Sequence, residues 1–254
     1  MPDRAQLELT WLGHSTSLIS AGGTTFLTDP VLRNRIAHLR RHSRLPDLSS
    51  RPEPDAVLIS HHHLDHLDLP SLKLLGSGMR VIGPTGTGRA LSRAGFREVE
   101  EISEGQTIKV GEAAVRAVRA EHQGRRSPFH PESEAIGFVI DAGRPIYFAG
   151  DTDLFEGMED EVGPVDLALL PVWGWGPAVG PGHLDPERAA RATAALRPEI
   201  AVPIHWGTFF PVGLKRFAGH HLVVPPHEYQ RLASAYAPDT EVRVLEPGSK
   251  LSVS

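Results

Sequence analysis

At 254 residues, with a net charge of −5 and no cysteine, the chain suits one large domain or two small ones with a sizeable core. The mild acidity argues against a general nucleic-acid binder. The missing thiols exclude disulfides and thiolate ligands, so any metal must be held by His, Asp or Glu.

No window approaches about 18 consecutive apolar residues, and Met1 to Leu12 lacks a basic segment followed by an apolar one. A cytoplasmic protein with no transmembrane segment is therefore expected. Apolar, β-branched runs read as strands at Leu7–Trp11, Ser17–Ser20 and Thr24–Thr28. Residues 30–55 follow with no clear periodicity. Between Val31 and Arg51 they carry six arginines against the single acid Asp47, and read either as a basic loop or lid (31–55) or as a solvated excursion. Further strands are expected at Ala56–Ser60, Val81–Gly83, Thr107–Val110, Val115–Val118, Ile136–Ile140, Ile146–Ala149, Leu167–Leu170, Ile200–Pro203 and Val242–Leu245. Helices are expected at Leu69–Leu75, Thr87–Ala94, Leu154–Glu161, Pro186–Leu196 and His227–Tyr236. The fourth has Asp185 as N-cap and Pro186 at its first position. Strands and helices alternate in both halves, which suits two sheets packed face to face with helices outside, read as a single domain over 1–254.

The run His61-His62-His63-Leu64-Asp65-His66-Leu67-Asp68 follows a buried strand directly. Imidazole and carboxylate are the usual ligands of zinc and similar divalent ions. Random placement of the chain's 14 His and 13 Asp gives H-x-H-x-D-H in roughly two such chains per thousand. In an extended chain residues i and i+2 point the same way, so His61 and His63 can face one metal while Asp65 and His66 face a second point nearby. His62 then points away, and Asp68 caps the next helix. Three more candidate ligands stand directly after apolar strands: His122, Asp151 and His205. One site would hold His61, His63 and His122, the other Asp65, His66 and His205, with Asp151 bridging them. His220, His221 and His227 read as surface residues.

These pieces, with Trp11-Leu12-Gly13-His14, Leu27-Thr28-Asp29-Pro30, Phe148-Ala149-Gly150-Asp151-Thr152, Gly182-His183-Leu184-Asp185-Pro186-Glu187 and His205-Trp206-Gly207-Thr208-Phe209, resemble the metallo-β-lactamase superfamily. The likeness is closest to the branch of N-acylphosphatidylethanolamine phospholipase D and the ascorbate-6-phosphate lactonase-like proteins. The resemblance implies a four-layer αββα sandwich with the active site at one edge between the sheets, and the same seven ligands for two divalent metals. Zinc is expected, and manganese or iron would also suit the donors. It implies that Asp29 holds a metal-ligand His, that His14 lines the site, and that His183 approaches the substrate. Arg126 matches an Arg of the branch's pattern, while Gln123 replaces an aromatic.

The chemistry expected of such a site is hydrolysis of a phosphodiester or a lactone-type ester by a metal-bridging hydroxide, with Asp65 orienting it or taking its proton. Arg126, Trp173 and Trp175 are candidate contacts for an anionic small-molecule substrate. A nuclease of the same fold and a non-enzymatic metal-binding protein are the alternatives. Nucleic-acid partners are not expected, and a homo-oligomer is left open. A peripheral phospholipase meeting anionic lipid through residues 31–51 is disfavoured, because no amphipathic apolar helix accompanies the basic segment.

Overall fold

A computed structural model describes residues 5–122, 134–174 and 179–254. Two seven-stranded sheets dominate it. The first has the order Lys250–Val253, Leu7–Gly13, Thr16–Ala21, Thr24–Thr28, Ala56–Leu58, Val81–Gly83, Val99–Glu101. The second has the order Glu241–Val242, Ile200–Ile204, Leu167–Pro171, Pro145–Phe148, Ile136–Asp141, Ala113–Arg119, Thr107–Val110.

Period-two alternation explains the layering. In the first sheet Phe26, Ala56, Leu58 and Ile82 enter the large core shared with the second sheet. Their neighbours Leu27, Val57, Ile59 and Val81 point the other way, into a second core with Leu72 and Leu91 of helices Leu69–Leu75 and Thr87–Ser92. Both faces are buried, so these strands read as continuous apolar runs. Helices Pro186–Leu196 and Val224–Tyr236 cover the second sheet, which completes the expected αββα order.

Strand direction positions the site. Thr24–Thr28, Ala56–Leu58 and Val81–Gly83 are parallel, and Leu7–Gly13 runs the same way across two antiparallel steps. Pro145–Phe148, Leu167–Pro171 and Ile200–Ile204 are parallel in the other sheet, and Ala113–Arg119 shares their direction. His14, Asp29, the His61 segment, His122, Asp151 and His205 therefore all follow carboxyl ends of strands, the edge where open α/β sheets place ligands.

The helix at Pro186–Leu196 and its Asp185 cap fall where the sequence puts them. Four expectations need correction. The helix expected from Leu154 begins at Met158, because Asp153 is occupied by an isolated bridge to Glu121 and Gly157 adopts φ 80°. The strand expected at Val242–Leu245 is only Glu241–Val242. Val99–Glu101 and Lys250–Val253 are strands that periodicity missed, since each buries little. Residues 31–55 are not one structureless loop. Arg35–Ile36 and Leu39–Arg41 form a small antiparallel sheet with Phe209–Pro211, a partner too distant in sequence to be read locally. Arg41 is buried there, donating to the carbonyls of Val31 (2.6 Å) and Arg33 (3.2 Å) and lying over the Phe209 ring. Burial pushes its guanidinium down to about 10.

Asp68 ties this segment to the helix it caps. Its carboxylate accepts from Ser71 N (3.1 Å) and from Arg33 Nε (2.8 Å). Asp68→Ala should lower the unfolding free energy by about 2 kcal/mol in urea titrations, and Asp68→Asn, which keeps the cap, by about half as much.

Candidate metal centre

Three non-glycine residues at this edge have positive φ: His14 at 55°, Asp29 at 34° and His205 at 64°. Side chains rarely adopt that region, and such strain concentrates at functional sites. Gly150, at φ 62°, brings the sheets together. A Cβ there would lie 2.5 Å from Ser60 Cβ, so only glycine lets the residue before Asp151 touch the residue before His61.

The imidazoles are held from behind. His66 Nδ1 donates to Asp29 Oδ2 at 2.7 Å, with both side chains fully buried. Ser60 Oγ donates to the same oxygen at 2.6 Å and lies 3.0 Å from His61 Nδ1, so it accepts from that nitrogen. His122 Nδ1 donates to the Gly182 carbonyl (2.7 Å) and His205 Nδ1 to the Trp173 carbonyl (2.6 Å). Carbonyls and carboxylates only accept, which puts the proton on Nδ1 and leaves the Nε2 lone pair facing inward. His63 differs, presenting Nδ1 at 3.3 Å from His122 Nε2.

Asp151 sits among the inward nitrogens. Its carboxylate lies 3.2 Å from His66 Nε2, 3.3 Å from His205 Nε2, 3.6 Å from His183 Nε2 and 3.9 Å from His61 Nε2. Ligand atoms of His61, His63 and His122 lie within 4.8 Å of one another, as do those of His14, Asp65, His66 and His205. Asp151 joins His61 and His66 in one such group and His122 and His183 in another. The structure thus gathers all seven expected ligands, with the carboxylate expected to bridge lying between the two imidazole groups.

Electrostatics follow from burial. Burial alone would raise the Asp151 carboxyl, but His205, His66 and His61 hold it well below its ordinary value. Burial, then His66 and His122, push His61 well below the usual imidazole range. Burial opposes charge on His66 too, yet Asp151, Asp29 and Asp65 raise it well above that range. Burial lowers His122 to about 4. Without a cation, then, protons must balance the buried carboxylates. His61 Nε2 and Asp151 Oδ1 are buried with no hydrogen-bond partner. Buried lone pairs left facing one another are costly, and divalent cations are the partners that nitrogen and oxygen donors of this type accept. The residues present fit a metal.

The other sequence motifs have local physical roles. Trp11 is buried and stacks on Trp206 at 5.0 Å, while its Nε1 donates to the His14 carbonyl at 2.8 Å. Thr208 Oγ1 accepts from His14 N at 2.7 Å, and His14 Nε2 reaches Asp65 Oδ2 at 3.0 Å. His14 therefore touches an expected ligand directly. Thr152 Oγ1 accepts from Glu121 N at 2.9 Å, fixing the strand end that carries His122. Arg188 pairs with Asp153 at 2.7 Å, and Asp153 accepts from Gly182 N at 3.1 Å, which steadies the loop bearing His183.

His62 points away from the cluster and bonds Thr87 Oγ1 at 2.8 Å. His183 is 27 % exposed, unlike the buried His61, His66 and His205. Trp173 corrects an expectation. Expected as a substrate contact, it is instead only 3 % exposed, its ring parallel to those of Phe210 and His221, and it serves His205 through its carbonyl. Arg126 and Trp175 lie outside the described residues. Ser60, Thr208 and the carbonyls of Trp173 and Gly182 are site groups that sequence reasoning missed.

Residues 24–206 match the family described as the beta-lactamase superfamily domain. The chain belongs to the beta-lactamase superfamily. It is 33 % identical over 267 residues to a “UPF0173 metal-dependent hydrolase” of Anaeromyxobacter sp. (strain K), spanning 98 % of this chain and 88 % of the relative. It is 30 % identical over 234 residues to “N-acyl-phosphatidylethanolamine-hydrolyzing phospholipase D 1” of Caenorhabditis elegans, spanning 82 % of this chain and 65 % of the relative. Among solved structures, Igni18, described as a novel metallo hydrolase from the hyperthermophilic archaeon Ignicoccus hospitalis, superposes with a TM-score of 0.77 at 26 % identity, covering 98 % of this chain and 99 % of that one. Within this superfamily fold, Asp29 holds the centre from behind. Asp29→Ala should weaken metal binding about 10- to 100-fold, measured by competition with a chromogenic chelator, while the fold persists by circular dichroism.

Proposed function

We propose that the protein is a metal-dependent hydrolase with two divalent ions, one held by His61, His63 and His122, the other by Asp65, His66 and His205, with Asp151 shared between them. The observation that carries this reading is the position of the Asp151 carboxylate between two groups of imidazoles whose backs are hydrogen-bonded. Relatives named metal-dependent hydrolases support it. Zinc suits the donors best, and manganese or iron suits them as well. When bound, such a pair of ions supplies Lewis acidity toward an ester or phosphoryl oxygen and activates water at neutral pH.

The chain's own residues do the rest. Asp29 and Ser60 orient His66 and His61, and the carbonyls of Gly182 and Trp173 orient His122 and His205. Asp65, whose carboxylate lies 3.0 Å from His14 Nε2, takes a proton from the attacking water. Burial keeps His183 below its ordinary value, so at neutral pH its ring is uncharged and carries one proton to hold against a leaving oxygen. The substrate is a small anionic phosphodiester or lactone-type ester. The phosphodiester has the support of the phospholipase D relative.

The test is a panel of p-nitrophenyl phosphodiesters, lactones, RNA and single-stranded DNA on protein of measured metal content. Hydrolysis of a phosphodiester or lactone is expected, and activity confined to nucleic acid would refute the reading. Asp151→Ala should lose both bound ions and all hydrolysis. His183→Ala should keep its metal while kcat falls about 10²- to 10⁴-fold.

A further inference from the structure

Residues 33–44 and 206–227 contain no Asp or Glu, yet they hold seven of the chain's basic side chains, leaving all 31 acids elsewhere. The fold lays these two stretches side by side. Phe209–Pro211 pairs with Leu39–Arg41, and Val212 N donates to the His38 carbonyl at 3.0 Å. Lys215 and Arg40 both lie within electrostatic reach of the His42 ring. Arg33 and Arg41 are used internally, whereas Arg35, Arg40, Arg44, Lys215 and Arg216 are exposed.

The same strip shows apolar side chains that a folded protein usually hides. Phe217 is 69 % exposed, and Val212, Leu214, Val223 and Val224 are exposed near it in sequence. Arg216 lies over the Phe217 ring at 4.4 Å. The strip adjoins the metal centre, because Phe210 stacks on Trp173, whose carbonyl holds His205.

We propose that this strip docks on an anionic lipid bilayer surface. A face whose own two stretches carry exposed cations and exposed apolar side chains is complementary to a surface that is both anionic and apolar beneath its headgroups. A second copy of the chain meeting this strip symmetrically would set cations against cations. Nucleic acid would satisfy the cations and leave the aliphatic side chains uncovered. The sequence alone argued against lipid contact, because residues 31–51 lack an apolar partner; the fold supplies one from residues 212–224. No described helix is long and apolar enough to cross a membrane, so the contact is peripheral. The net charge of −5 opposes general attraction to such a surface, so the strip must orient the encounter.

Co-sedimentation with phosphatidylcholine vesicles containing about a third phosphatidylglycerol, against pure phosphatidylcholine vesicles, tests this. Salt-sensitive binding to the anionic vesicles alone is expected. Phe217→Ser should weaken it about tenfold, and the pair Lys215→Glu and Arg216→Glu by at least about as much, with melting temperature and metal content unchanged. Absence of vesicle binding, equal binding by these variants, or a vesicle-free dimer abolished by Phe217→Ser would overturn the proposal. Vesicle binding is read without substrate, so its failure leaves the hydrolase reading standing.

Discussion

The hydrogen bond from His66 Nδ1 to the buried Asp29 carboxylate is the contact on which the site depends. It fixes one imidazole directly and a second through Ser60, and it does so where water cannot compete. A buried carboxylate with imidazole and hydroxyl partners costs stability unless every lone pair is used. Here one oxygen takes the His66 and Ser60 side-chain protons, and the other accepts from Ser60 N at 2.8 Å. That satisfaction lets the chain keep a charge in its interior and aim it at the clustered imidazoles.

The sheets turn this local device into a centre. Each contributes strands of one direction, and ligands leave at their carboxyl ends. Gly150 against Ser60 sets how closely the two ligand-bearing ends approach. The Trp11–Trp206 stack anchors the loops of His14 and His205 on the shared core, and such an aromatic pair contributes about 0.5–1.5 kcal/mol beyond its buried area. Packing, backbone strain and ligand placement are therefore one arrangement. A change that relaxes the strain at His14 or His205 also moves a nitrogen in the cluster.

Much of this was legible in the sequence because it is written in side chains close together. The octet is dense enough to stand out, and Asp29, Asp151 and His205 follow recognisable strands. Asp68 as a cap and His62 as an outward residue follow from helix punctuation and from two-residue alternation. What was hidden has physical reasons. The carbonyls of Gly182 and Trp173 act through the backbone, which carries no residue signature. Ser60 looks like an ordinary strand end. Trp173 reads as a substrate contact, yet the fold buries it beside Phe210 and His221. The small sheet of residues 35–41 and 209–211 joins segments some 170 residues apart, so neither half shows a period or a partner by itself.

The central claim is that Nδ1 hydrogen bonds commit His61, His66, His122 and His205 to ligation through Nε2 around a shared Asp151. Anomalous scattering from crystals of the purified protein, recorded above and below the absorption edge of the bound metal, measures this most directly. Two peaks per chain are predicted, one beside His61, His63 and His122 and one beside Asp65, His66 and His205, with Asp151 touching both. A single fully occupied peak, or ligation through the Nδ1 of His66, would contradict the account.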